Sequence, residues 1–154
     1  MKNVNGENVS QVSVGLLSAG EERQLMWLEN SFLLEIGEEP LNAEKEKALV
    51  QAIGEEKIRF FVARDGERVV GMCSVAACFS TFACDTVGIF DDFYVEPAFR
   101  GLGVARGLVQ AAQRWCVEQG ILSLSVTCAP CDEAMYQALG FDTPLGKTYA
   151  HCGP

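Results

Sequence analysis

The stretch that most constrains this chain is residues 86–127. It joins a β-type run, a glycine turn, an amphipathic helix and a second β-type run. Residues 86–95 are rich in aromatic and β-branched side chains, and Pro97 ends that run. Val104, Leu108, Ala111, Ala112 and Trp115 fall on one helical face, and Gly120 closes the helix. Leu122, Leu124 and Val126 then alternate with Ser123, Ser125 and Thr127, the pattern of a half-buried strand. Strand, helix, strand predicts a parallel pair joined by a right-handed crossover.

The remaining elements are connected differently. Val12, Val14 and Leu16 alternate and predict a first strand. Ser18 with Glu21 forms a capping box, and Leu25, Leu28, Phe32 and Ile36 follow at helical spacing up to Gly37. Asn42 caps a second helix over 43–53, closed by Gly54. Residues 58–64 and 69–79 flank Asp65-Gly66, a hairpin signal. A short helix is predicted over 132–139, closed by Gly140, and the tail has room for one or two short strands. The expected architecture is α/β: a mixed central sheet of six to seven strands flanked by about four helices. Residues 1–10 read as a loose end and 11–154 as a single domain.

Composition excludes some functions. The 154 residues carry 12 Lys and Arg against 21 Asp and Glu, a net charge of −9. Nucleic-acid binding needs clustered cations, so no nucleic-acid partner is expected. A cationic ligand fits this charge, but so does a merely solvated acidic surface. The longest nearly continuous apolar run, 69–79, is too short for a membrane helix. With no secretion-type start, the reading is cytoplasmic. Seven cysteines, an odd count, favour reduced thiols.

The turn at residues 100–106 carries the strongest chemical signal. A strand runs into a loop with Gly101 and Gly103, and that loop opens a helix. Helix N-termini expose unpaired N–H groups, and glycine lets a ligand approach the backbone. On the residues alone, a pyrophosphate cradle and an ordinary strand–helix turn both remain open.

Arg100-x-x-Gly103-x-Ala105 resembles the acetyl-CoA signature of the GNAT family of N-acetyltransferases. Val95-x-Pro97-x-x-Arg100-Gly101 before it is similar to the same family. So is the run Ala134-Met135-Tyr136-Gln137-Ala138-Leu139-Gly140-Phe141 after it. The resemblance spans roughly residues 12–141. It implies a GNAT-like fold, acetyl-CoA as acyl donor, a primary amine as acceptor and a possible homodimer. It further implies that the backbone of Phe93, Tyr94 and Val95 bonds the pantetheine arm. Arg100 belongs to the signature. The N–H groups of Gly101, Leu102, Gly103, Val104, Ala105 and Arg106 would hold the pyrophosphate.

The implied chemistry needs a neutral amine, a donor for the oxyanion and a proton for the departing thiolate. Tyr136 occupies the position where the family often places that acid. Asp91 and Asp92 are the base or amine-binding candidates. Asp91 matches an acidic position in polyamine-type members. Strand alternation sends the two aspartates to opposite faces, so one at most is expected to line the cleft.

Two features depart from the family pattern. Where many members carry Asn before the tyrosine helix, this chain has Cys128-Ala129-Pro130-Cys131, and its tail is short. Cys128-x-x-Cys131 also raises redox and zinc readings. Zinc would need two more ligands, with only His151 and Cys152 conveniently placed, so packing thiols and no metal are expected. The alternatives to a small-amine acetyltransferase are a peptide or protein N-acetyltransferase and a non-catalytic acyl-CoA-binding module.

Overall fold

The computed structural model describes residues 12–121 and 123–151. The predicted loose end at 1–10, Leu122 and Cys152 lie outside them. The elements are β1 (Val12–Leu16), α1 (Glu22–Glu35), α2 (Ala43–Gly54), β2 (Ile58–Asp65), β3 (Arg68–Ser80), β4 (Asp85–Val95), α3 (Val104–Glu118), β5 (Leu124–Val126) and α4 (Glu133–Ala138). Short 3-10 turns at Pro97–Phe99 and Pro130–Asp132 precede α3 and α4. No helix among the described residues is long and apolar enough to cross a membrane.

The sheet runs in the order β1-β2-β3-β4-β5. All neighbours are antiparallel except β4 and β5, which pair parallel across the α3 crossover. Each sheet face buries its own core. On one face α3 packs Val104, Leu108, Val109 and Ala112 over Phe61, Val75, Phe90 and Val95. On the other, Leu25 and Leu28 of α1 cover Phe60, Val62, Met72 and Tyr94, with Leu49 and Ile53 of α2 beside them. The period of 2 in the strands and of 3.6 in the helices explains this two-sided burial. The Asn42 side chain caps α2 by accepting from the Lys45 N–H at 2.9 Å.

Among the described residues the sheet has five strands, not the expected six to seven. Residues 142–151 form no strand. Pro144 lacks an N–H for a ladder, and Gly146 takes a left-handed φ of 117°. Leu145 and Tyr149 remain exposed, so the tail has no apolar face to register against the sheet.

The β4–β5 pairing is brief, and this shapes the site. Only Gly88, Ile89 and Phe90 pair with Leu124, Ser125 and Val126. A Cβ at Gly88 would lie 2.8 Å from Leu124 Cδ1, so glycine permits the close approach. Beyond Phe90, β4 continues to Val95 while β5 has ended at Val126. The edge of β4 that faces β5 is left without a strand partner there.

Candidate active site

The loop after β4 is built for close backbone approach. Gly101 and Gly103 have φ of 75° and 82°, a region side-chain-bearing residues rarely adopt. Gly103 is the N-cap of α3, and no side chain caps that helix. The first-turn N–H groups of Val104, Ala105 and Arg106 therefore have no intrahelical acceptor. An added Cβ at either glycine would meet nothing within 4 Å, so both open onto free space. A pyrophosphate fits such a cradle in charge and access.

Arg100 braces this loop. Its Nε donates to the Val95 carbonyl at 2.7 Å, and its guanidinium donates to both Glu35 oxygens at 3.0 and 2.7 Å. The same group stands 5.4 Å from the centre of the Tyr94 ring. The signature arginine thus ties the loop to the end of α1, and the Val95 carbonyl already has one donor. Leu102 and Arg106 are exposed at the loop surface.

Strand alternation breaks at Asp92. The β3–β4 register runs from Met72↔Tyr94 to Ser74↔Asp91, leaving Asp92 and Phe93 opposite Cys73 alone. This is a β-bulge, and Asp92 takes a φ of 50°, which an aspartate tolerates better than most residues. The doubled residues are Asp92 and Phe93, while Asp91 keeps its own partner, Ser74. Asp91 and Asp92 both act electrostatically on the same buried group, Glu29 of α1. The Asp91 carboxylate is exposed and accepts from the Asp92 N–H at 2.9 Å. Asp92 is half-buried and accepts from the Ser74 hydroxyl at 2.6 Å. Burial raises the Asp92 pKa above the usual carboxylate value, partly offset by that hydrogen bond.

Glu29 is the functional candidate that motif reading passes over. It is only 6% exposed, and its Oε2 has no hydrogen-bond partner. Burial, with the charges of Asp92 and Asp91, pushes its pKa up to about 8. The sequence held a usable signal. Position 29 is four residues after Leu25 and three before Phe32, inside the apolar stripe of α1, where a carboxylate is out of place.

Tyr136 completes the arrangement. It is half-buried on α4, with its ring 6.5 Å from Phe90, 6.0 Å from Phe93 and 5.9 Å from Phe141. Burial first, then the charges of Asp132, Cys128, Asp91 and Cys73, raises its pKa to about 12. The charge of Asp91 contributes to raising both Glu29 and Tyr136, behind burial and nearer charges.

Cys128 is half-buried beside this cluster and Cys131 is exposed in the turn before α4. The six described cysteines are free thiols. No group of three metal-type ligands occurs among the described residues.

The profile of the acetyltransferase (GNAT) family matches residues 23–141, which include all but the first residue of α1, the bulge, the glycine loop and Tyr136. The chain belongs to the GNAT family. GNAT enzymes use acetyl-CoA as donor, and the open glycine cradle and the unpartnered β4 edge suit that molecule. Over 64 residues the chain is 34% identical to an aminoglycoside N(6')-acetyltransferase type 1 of Salmonella typhimurium. That match covers 38% of this chain and spans 44% of the relative's length. Solved GNAT-type structures share the fold across nearly the whole chain. An aminoglycoside acetyltransferase from an uncultured soil metagenome, in complex with trehalose, aligns with a TM-score of 0.82 at 13% identity, over 96% of this chain and 99% of that one. AAC(6')-Iy, in complex with a CoA-acetylneamine bisubstrate analogue, aligns at 0.80 and 19% identity, over 94% and 99%. A Clostridium acetobutylicum protein described as a predicted acetyltransferase, with acetyl-CoA, aligns at 0.77 and 16%, over 92% and 96%.

Proposed function

We propose that this chain is an acetyl-CoA-dependent N-acetyltransferase that acetylates a primary amine of a small cationic molecule. The observation that carries the reading is the open glycine loop at the α3 N-terminus beside the unpartnered edge of β4, in a chain that matches the GNAT family over residues 23–141. An amine beside Asp91 would stand between carboxylates that attract it and a hydroxyl that can protonate a leaving group. The kinship with aminoglycoside acetyltransferases supports a small amine acceptor.

In the proposed reaction the neutral amine nitrogen attacks the thioester carbonyl directly. The new C–N bond forms, the C–S bond breaks, and the electron pair leaves with sulfur. Tyr136 gives its proton to that sulfur, and the nitrogen's surplus proton passes to Asp91 or Asp92, directly or through water. A tyrosine with a pKa near 12 holds its proton throughout the neutral range, as an acid must. A backbone N–H of β4 would serve the oxyanion, and Gly101 to Arg106 would hold the pyrophosphate.

The test is acetyl-CoA turnover, read as thiol release, against polyamines, aminoglycosides, amino acids and peptides. Turnover is expected with the small cationic amines. Turnover with peptides alone would point to a protein N-acetyltransferase. CoA binding without any turnover would point to a non-catalytic module.

A further inference from the structure

The glycine loop does little to fix its own course. A Cβ at Gly101 or Gly103 would meet nothing within 4 Å, and Leu102 between them is 65% exposed. No side chain caps Gly103. A free glycine segment samples many conformations, and a ligand that needs one of them loses affinity by ordering it. The restraint must therefore come from the flanks. On one side Val104 and Leu108 anchor α3 in the core. On the other stands the turn from Glu96 to Arg100, held at each end by an ion pair. Arg68 of β3 donates to Glu96 and lies 6.0 Å from the centre of the Phe99 ring. Arg100, the residue that enters the loop, is held by Glu35, the Val95 carbonyl and the Tyr94 ring.

Glu35 is oddly placed for a helix. It is the last residue of α1, and the last turn carries no basic side chain. A carboxylate there faces the negative end of the helix dipole, so helix stability does not account for it. Its engagement with Arg100, 65 positions away in the chain, does. Two consequences of opposite sign follow for a pyrophosphate at the loop. If Glu35 merely screened Arg100, removing it would free a positive charge and tighten binding. If it holds Arg100 in place, removing it would loosen the loop and weaken binding.

We propose that Glu35 is a positioning residue for the acyl donor: by holding Arg100 it keeps the glycine loop set for the pyrophosphate, so the end of α1 governs donor affinity without touching the donor. This rests on the acetyltransferase reading above.

The experiment titrates free CoA, by calorimetry, into the wild type, Glu35→Ala, Glu35→Asp, Arg100→Ala and the Glu35→Ala/Arg100→Ala double variant. No acyl transfer enters such a measurement. Both partners of the pair are about half exposed, so the effect is modest. Glu35→Ala should weaken CoA binding roughly twofold to fivefold, the range for an exposed ion pair. Glu35→Asp, which keeps the charge, should recover part of the loss. In the Arg100→Ala background Glu35→Ala should add nothing, because Glu35 acts only through Arg100. In turnover, Glu35→Ala should raise KM for acetyl-CoA and leave kcat at saturation in place. Its melting temperature should hold or rise, since a carboxylate leaves the negative end of α1. Unchanged or tighter CoA binding in Glu35→Ala overturns the proposal. So does an effect that persists without Arg100, or a melting temperature that falls in step with affinity, which would make the pair an ordinary structural contact. A wild type that binds no CoA overturns the donor reading as well, whereas equal binding by wild type and Glu35→Ala overturns the positioning role alone.

Discussion

The glycine loop and the carboxylate cluster lie at the two ends of one strand segment, yet they are built in opposite ways. The loop is contiguous, from Arg100 to Arg106. Its donors are backbone N–H groups, and its two special φ angles fall on glycine, where they cost little. The cluster draws Glu29 from α1, Ser74 from β3 and Asp91 with Asp92 from β4. Its groups are side chains, one of them is orphaned, and a non-glycine residue takes the left-handed conformation. The loop suits a ligand part common to many acyl transfers. The cluster stores unfavourable electrostatics, which is a sensible place to look for what is particular to this chain's substrate.

Tyr136 is the proposed acid, so its replacement should have the largest effect. Tyr136→Phe removes only the oxygen and keeps the ring contacts with Phe90, Phe93 and Phe141. Turnover should fall by roughly 10²–10⁴, the span typical of a lost acid–base group, if chemistry limits the rate. Affinities for CoA and amine should change little, because the hydroxyl matters mainly in the transition state. With a pKa near 12, Tyr136 should produce no fall in wild-type rate on the alkaline side until well above the neutral range. Steady-state kinetics across pH checks both points. Wild-type turnover in the variant would remove Tyr136 from the mechanism.

Breaking the loop alone should come next in size. Gly103→Val puts a β-branched residue at a φ of 82° and fills the open space above the α3 N-terminus. CoA affinity should drop roughly tenfold or more, through strain and blocked approach. Calorimetry with CoA reads the effect, and unchanged affinity would count heavily against the cradle.

The contrast also explains what could be read from the chain. The crossover from β4 through α3 to β5, the Asp65-Gly66 hairpin and the Asn42 cap follow from residues close in sequence. So does the glycine loop, together with its family motif. The bulge does not, because the doubling of Asp92 and Phe93 against Cys73 depends on how β3 pairs beside them. Nor does Glu29 announce itself as part of a site. Its misplaced charge in the stripe of α1 is visible, but its company on β4 is a tertiary fact. The tail forms none of the strands its length leaves room for, because residues 142–151 have no apolar alternation to register against the sheet.

A cluster that stores strain should also reveal itself in stability. The folded-state pKa of Glu29, about 8, lies above its ordinary value. From the ordinary carboxylate range up to about pH 8 the native state holds a proton that the unfolded state has released. Stability therefore falls as pH rises through that window, and stays reduced above it. Glu29→Gln removes the titration and keeps the shape. Its melting temperature should exceed the wild type's by roughly 2–8 °C at about pH 9, with the difference shrinking toward about pH 5. Calorimetric melts at several pH values provide the test, and a parallel pH dependence in both proteins would contradict it.

The smallest effect is expected where neither region is touched. Cys128 and Cys131 flank the turn that leads into α4, and Cys128 is close enough to Tyr136 to act on its titration. Proximity alone does not make a thiol part of the chemistry. Cys131 is exposed, Cys128 is half-buried, and both are free. Serine at both positions keeps a small polar atom in each place, so α4 should stay seated against Phe90 and Phe93. Turnover should remain within about twofold of wild type, the range for substitutions that spare buried contacts. Activity should also be indifferent to added zinc or reductant. A double variant without activity, or one rescued by zinc, would mean that the turn before α4 supplies chemistry of its own. Tyr136 would then be one member of a larger cysteine-containing centre, and the division between loop and cluster would have to be redrawn around it.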